Sequence, residues 1–203
     1  MALQIYNDGE HPAGYIGIRV AWNLDGQYVQ RYFNFRTPDR KGFISRSEEK
    51  RLIEKAKAQE AKWRAEAAKI KYQRVLTENH PNTLPYHGLG FTGITLMIRW
   101  DTDYRRLAHY PPTKADFTYF TPGFRVVCSA RIGDQYFNIN KLGLDGAWRG
   151  AVDCWATHFA VKPKDKQRIL IEKRPSIDQF KQLRRHLNKQ GWEIPLQVVN
   201  RIQ

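Results

Sequence analysis

The stretch DQYFNINKLGLDGAWRGAVDCWATHF, residues 134–159, decides how the rest of the chain is read. Trp148, Val152, Trp155 and Phe159 recur at i, i+4, i+7 and i+11, the stripe of an amphipathic helix. Asp145 is placed to cap that helix. At this spacing the two tryptophans read as core rather than as stacking surfaces. Immediately upstream, GFRVVCSARIGDQYFNIN (residues 123–140) reads as a hairpin turning at Gly133-Asp134. Phe124, Val126, Cys128 and Ala130 fall on one face; Arg125, Val127, Ser129 and Arg131 fall on the other. Before that, FTGITLMIRW (residues 91–100) alternates Ile94, Leu96 and Ile98 with Thr95, Met97 and Arg99. The residues between, 101–122, read as an irregular insertion. The unit is therefore three short antiparallel strands followed by one helix.

The same order is written earlier. YIGIRVAW and QYVQRYFNF flank Asn23-Leu24-Asp25-Gly26, a strong hairpin signal. LQIY (residues 3–6) adds a possible first strand. Ile16, Ile18 and Val20 share one face, and Arg19 lies on the other. Ser45, with Glu48 three residues on, forms a capping-box signature that predicts a helix from about Arg46. No Gly or Pro interrupts the next thirty or so residues. Ile53, Ala56, Trp63, Ala67 and Ile70 form a narrow apolar stripe whose first turns suit packing on a small sheet. The expected class is thus α+β: two small modules, each a three-stranded antiparallel sheet on one helix, joined by the long helix. The expected boundaries are 1–76 for the first module, 77–89 for a Pro- and Gly-bearing linker, 90–160 for the second module, and 161–203 for a basic tail. In that tail Arg168–Lys173 alternates like a strand. Ser176 with Gln179 caps a last helix, and Gly191 stops it.

Charge narrows the function. The chain has 203 residues, 34 Lys and Arg against 20 Asp and Glu, a net charge of +14. Residues 1–36 are neutral (3 against 3) and residues 76–159 nearly so (8 against 7), whereas 37–75 carry +6 (12 against 6) and 160–203 carry +7 (11 against 4). Basic segments beside near-neutral folded units suit a polyanionic partner, most often nucleic acid. No apolar run approaches the ~18 residues of a membrane helix. The first twenty residues show no basic stretch followed by an apolar one, so a cytoplasmic protein without a secretory leader is expected. Cys128 and Cys154 are read as reduced core thiols.

Enzyme signatures are missing from the sequence. His80 and His87 sit in a loop with no second ligand set. Asp165, Glu172 and Lys173 hint at a nuclease centre, but adjacent Glu and Lys on a strand would face opposite sides. No zinc spacing and no phosphate-binding glycine loop occurs. The expectation is no catalysis, no cofactor and no metal.

With an early strand, a tight hairpin, an aromatic third strand, Leu142-Gly143 and a helix carrying Ala147, Ala151 and Trp155, the chain resembles the Apetala/ethylene-response-factor type of DNA-binding domain. It is also similar to its bacterial relatives, the sheet-plus-helix modules of phage integrase arm-binding domains and homing-endonuclease tails. The resemblance covers about residues 1–65 and 90–160. It implies that each sheet lies in the major groove of duplex DNA with its exposed face on bases and phosphates. By position it nominates Arg125, Ser129, Arg131, Tyr136, Asn138 and Asn140 in the second module, with Arg99 and Lys141 beside them. In the first it nominates Arg19, Trp22, Gln30, Tyr32, Asn34 and Arg36. Arg suits guanine, Asn suits adenine, and Tyr and Ser suit phosphates. Arg184 and Arg185, on the basic face of the last helix, would clamp phosphates beside the sheet. The expected protein is a sequence-preferring binder of double-stranded DNA, a bacterial or phage/mobile-element transcriptional regulator or architectural factor, able to form a homodimer through helix 46–75 or the C-terminal helix. Two further readings stay open: a phage-type inhibitor or protein–protein module with a basic surface, and an RNA binder.

Overall fold

A computed structural model describes residues 3–39, 41–102, 118–128 and 133–202, with the side chains of Thr102 and Thr118 left aside. The chain divides into two compact units, residues 1–73 and 74–203. The expected α+β architecture is present, with two three-stranded antiparallel sheets and a long helix following the first.

In the first unit, β1 (Leu3–Tyr6), β2 (Gly17–Leu24) and β3 (Gln27–Asn34) form a sheet in that order. Asp25 and Gly26 close the β2–β3 hairpin with φ of 59° and 87°, the backbone of the primed turn that matches strand twist. Helix α1 (Arg46–Thr77) begins where the sequence predicts it, with the Glu48 N–H donating to Ser45 Oγ at 3.2 Å. Ile16, Ile18, Val20, Phe33 and Phe35 bury against Ala56, and Leu3, Ile44, Leu52, Ile53 and Trp63 pack around them. The apolar stripe of α1 thus covers one face of the sheet.

In the second unit, β4 (Ile94–Thr102), β5 (Thr118–Val126) and β6 (Gln135–Asn138) form the second sheet, again in chain order. The insertion is shorter than the sequence suggests. Residues 101–102 and 118–122 belong to a continuous β4–β5 ladder running from Ile94↔Val126 to Thr102↔Thr118. Pro122 hid this, because proline in a strand argues against a central position. Its placement explains the tolerance. Leu96 gives its N–H to His87 O, so pairs of its parity, Ile98↔Pro122 included, turn their backbone polar groups away from the β4–β5 seam. On the other side of β5, pairing with β6 ends at Gly123↔Asn138. Pro122 therefore lacks a donor only where no described strand would use one.

Helix α2 (Ile139–His158) grows directly out of β6 and is broken at Gly143, with φ 68° and ψ 168°. The part after the break carries Trp148, Val152 and Trp155, each at most 2% exposed. Phe124 from β5 lies 5.3 Å from Trp148 and 5.8 Å from Phe180, centroid to centroid. The C-terminal residues do not stand apart as a tail. Helices α3 (Pro163–Glu172), α4 (Ile177–Lys189) and α5 (Gln197–Asn200) close the same core through Ile169, Phe180, Leu183 and Val199, with Ile194 from the turn between α4 and α5. The expected strand at 168–173 is helix α3. Pro163 stands in its first turn, and Ile169 is buried while Ile171 is 66% exposed, a helical and not a two-fold burial pattern. The Ser176–Gln179 capping box is formed in full, and Gly191 at φ 90° follows the helix it helps end.

The expected linker is also folded into the second unit. Asn79 Oδ1 accepts from the Gly90 N–H, Glu78 O from Thr92 Oγ1, and Gly88 bridges to Thr95. No helix among the described residues is long and apolar enough to cross a membrane.

Candidate nucleic-acid interface

Strand parity settles which side chains share the uncovered faces. On β4, Ile94, Leu96 and Ile98 point to the helices, so Thr95, Met97 and Arg99 point the other way. Cross-strand partners share a face, so Thr121 joins Arg99 and Tyr136 joins Arg125. The Arg99 guanidinium lies 5.9 Å from the Tyr136 ring centroid, and Tyr136 donates its hydroxyl to Thr121 O at 2.5 Å. Burial raises the Tyr136 phenol above its usual pKa, with smaller opposing contributions from that hydrogen bond and from Arg99. The phenol is a neutral donor that fixes the ring under Arg99. Arg125 is held by Asp134, its Nε donating to Oδ2 at 2.6 Å and Nη2 also reaching that oxygen. A carboxylate that pins one edge of a guanidinium presents the remaining edge in a set direction.

Arg99, Arg125 and Tyr136 thus come together as the sequence suggests. Asn138 lies on the same face opposite Gly123, half-buried, with its Oδ1 unpartnered among the described residues. Asn140 and Lys141 do not. They sit in the first turn of α2, exposed, because β6 ends at Asn138 and Ile139 turns into the core. Ser129 and Arg131 lie outside the described residues.

The edge of β4 links this face to a basic helix surface. His87 pairs with Leu96, its Nδ1 donating to Leu96 O at 2.7 Å. Burial pushes the imidazole pKa below 6.5, and nearby His186 and Arg125 add to the push. His87 lines a cleft of about 290 Å³ with Thr95, Arg125, Val127 and Phe159. Next to it, Tyr86 stacks at 5.0 Å on His186 and opens a second cleft, about 360 Å³, with Gln182, Arg185 and Lys189. Arg185 therefore has the place the sequence gives it. Arg184 Nε donates to Ile194 O at 2.7 Å, closing the turn after α4.

His87 gives a pH signature. Its folded pKa lies below that of the unfolded chain, so the unfolded state takes up the proton first as pH falls. The stability contribution of neutral His87 is complete above about 6.5 and is lost as pH falls through the folded value. Melts of wild type should fall over that window, and His87→Gln should flatten the fall.

In the first unit, the uncovered face carries Gln4, Arg19, Tyr28, Gln30, Tyr32 and Asn34, by the register Gln4↔Arg19↔Tyr32 and Gly17↔Asn34. Trp22 is not on it. It shares parity with Ile18 and Val20 on the α1 side, with the Arg64 guanidinium 5.9 Å from its ring. Tyr15 lies along the uncovered face, 5.1 Å from Tyr32, and donates to Ile18 O at 3.1 Å. Burial pushes its phenol up to about 12. Arg36 lines a cleft of about 270 Å³ with Tyr15 and Asn34. Sequence reasoning missed Tyr28 and Tyr15. Tyr28 was legible, since it alternates with Gln30 and Tyr32; Tyr15 precedes the strand and gave no periodic signal.

No protein-family model, no curated protein and no solved structure matches the chain.

Proposed function

We propose that the chain is a non-enzymatic protein that binds duplex DNA, with the uncovered face of the second sheet in the major groove and the basic face of α4 on the adjoining phosphates. One observation carries this reading. Arg99, Arg125 and Tyr136 share the face of the second sheet opposite the helices, and Arg125 lines one cleft with His87, whose neighbour Tyr86 lines the next with Arg185 and Lys189. A small sheet fits the major groove, and arginine and lysine beside it supply the sequence-independent attraction to phosphates. The net charge of +14, concentrated in 37–75 and 160–203, supports a polyanion as partner. The resemblance to Apetala-type domains supports the same placement.

The test is a salt titration of duplex binding. Log affinity should fall linearly with log salt, by about 0.9 per phosphate contacted. Arg125→Ala should weaken a selected site by about 1–3 kcal/mol and random duplex much less, if the guanidinium reads a base. Arg185→Ala should weaken both alike and lower the slope by about one unit. Affinity indifferent to salt, or retained in full by both variants, rejects the reading.

A further inference from the structure

The uncovered face of the first sheet differs in chemistry from that of the second. Along β3 and just past it, Tyr28, Gln30, Tyr32, Asn34 and Arg36 succeed one another at two-residue steps, about 7 Å each, on one side of the strand. Tyr28 and Tyr32 are 45% and 44% exposed on β3, the edge strand of the sheet. Arg19 pairs with Tyr32 across the ladder and reaches the Tyr28 hydroxyl through Nη2, with its guanidinium 5.8 Å from that ring. Tyr15 buttresses Tyr32 edge-on from behind.

The two arginines carry the second observation. Arg19 Nε and Arg36 Nε are buried donors without a hydrogen-bond partner among the described residues. Guanidinium nitrogens are normally satisfied inside the fold; these two leave Nε without an acceptor, so the protein takes up only part of each charge. Arg36 stands in the polar cleft with Asn34 and Tyr15, and its nearest carboxylate, Asp8, is at 3.8 Å, too far for a good hydrogen bond. An oxyanion would pair with the solvent-facing edge of such a guanidinium; the Arg36 side chain is 35% exposed.

We propose that this face is a single-strand platform: it binds a short run of single-stranded DNA, with bases stacked on Tyr28 and Tyr32 and phosphates seated at Arg19 and Arg36. Exposed rings between cationic groups are the arrangement that holds unpaired bases without reading their sequence. A duplex keeps its base faces stacked on one another and has none to offer these tyrosines. The choice of DNA over RNA rests on the function proposed above; the single strand itself rests only on this face.

The experiment uses the whole chain with three fluorescent probes: oligo(dT), oligo(U) and a duplex. Wild type should bind oligo(dT). Tyr32→Ala should lose roughly tenfold or more on oligo(dT) while duplex affinity holds. Tyr32→Phe should bind like wild type, since it keeps the ring. Arg36→Gln should lower the salt slope on oligo(dT) by somewhat under one unit. Melts of each variant confirm that the fold is intact. Duplex binding without oligo(dT) binding overturns the platform and leaves the duplex reading standing. The reverse result overturns the duplex reading and leaves the platform. Oligo(U) bound as tightly as oligo(dT) overturns the assignment to DNA. Equal oligo(dT) affinity in Tyr32→Ala and wild type overturns the stacking role.

Discussion

Trp155→Ala should cost the second unit about 3–5 kcal/mol, as a core Trp or Phe truncated to Ala does, and lower its melting temperature by about 10 °C or more. The ring is fully buried. It packs 5.1 Å from Phe91 and 6.4 Å from Phe159, centroid to centroid. Its Nε1 donates to Thr92 O at 2.8 Å, tying α2 to the segment that leads into β4. The substitution removes the packing and leaves the Thr92 carbonyl without that donor, and each loss is costly in a dry site. The ring rests directly on the backbone of Gly93, where a Cβ would stand 2.7 Å from Phe159 and from Trp155, so its removal opens a gap down to the main chain. Trp155→Phe keeps most of the volume and loses the donor, so its cost should be the smaller part, about 1–2 kcal/mol. Thermal melts followed by near-ultraviolet circular dichroism check both. A Trp155→Ala protein that melts like wild type would place the ring outside the core.

Gly17→Ala should be the most damaging small change in the first unit, at about 3 kcal/mol or more. Gly17 opens β2 at φ 151°, and a Cβ on it would lie 2.2 Å from Phe33 O and 2.5 Å from the Tyr15 hydroxyl. One obstacle is backbone, which cannot swing aside; the other is the ring that buttresses Tyr32. Relief requires either parting the β2–β3 ladder or displacing Tyr15. Strained backbone and overpacking each cost about 1–3 kcal/mol. Gly26 is the contrast. It too has positive φ, at 87°, but nothing lies within 4 Å of its added Cβ, so Gly26→Ala should carry only the backbone penalty, about 1 kcal/mol. Denaturant titration of the two variants gives the ranking. Equal midpoints would show that the close approach at Gly17 relaxes without cost.

Much of this architecture was legible where local chemistry and the tertiary solution agree. Asp25-Gly26, the Ser45 cap, the Ser176–Gln179 box and the 3.6-residue stripe through Trp148 and Trp155 each specify an element without outside help. The misread parts are those that tertiary context decided. Arg168–Lys173 alternates in sequence, yet only Ile169 found the core, and Pro163 had already set a helical start. The resemblance alone places Trp22 on the exposed face; counting from Ile18 puts it on the α1 side. Asn140 alternates in sequence as if part of the strand, yet Ile139 turns into the core and starts α2. The faces themselves were readable from parity alone. That Asp134 grips Arg125, that Arg184 serves the turn at Ile194, and that residues 78–93 fold onto β4 depend on chain segments distant in sequence or irregular in form, which periodicity does not encode.

Pro122 has a consequence for how copies of this protein behave toward one another. The ladder between β5 and β6 ends at Gly123↔Asn138, and a strand margin bared beyond its last partner is a template on which a second molecule can lay a strand and begin a growing stack. The amide that such a newcomer would have to engage at Pro122 does not exist. A sheet growing outward from β5 would lose a rung at that position, and the next molecule would inherit the defect. Pro122 is buried in the folded chain, so this missing rung would matter when local opening bares the margin of a protein with thirteen per cent aromatic residues.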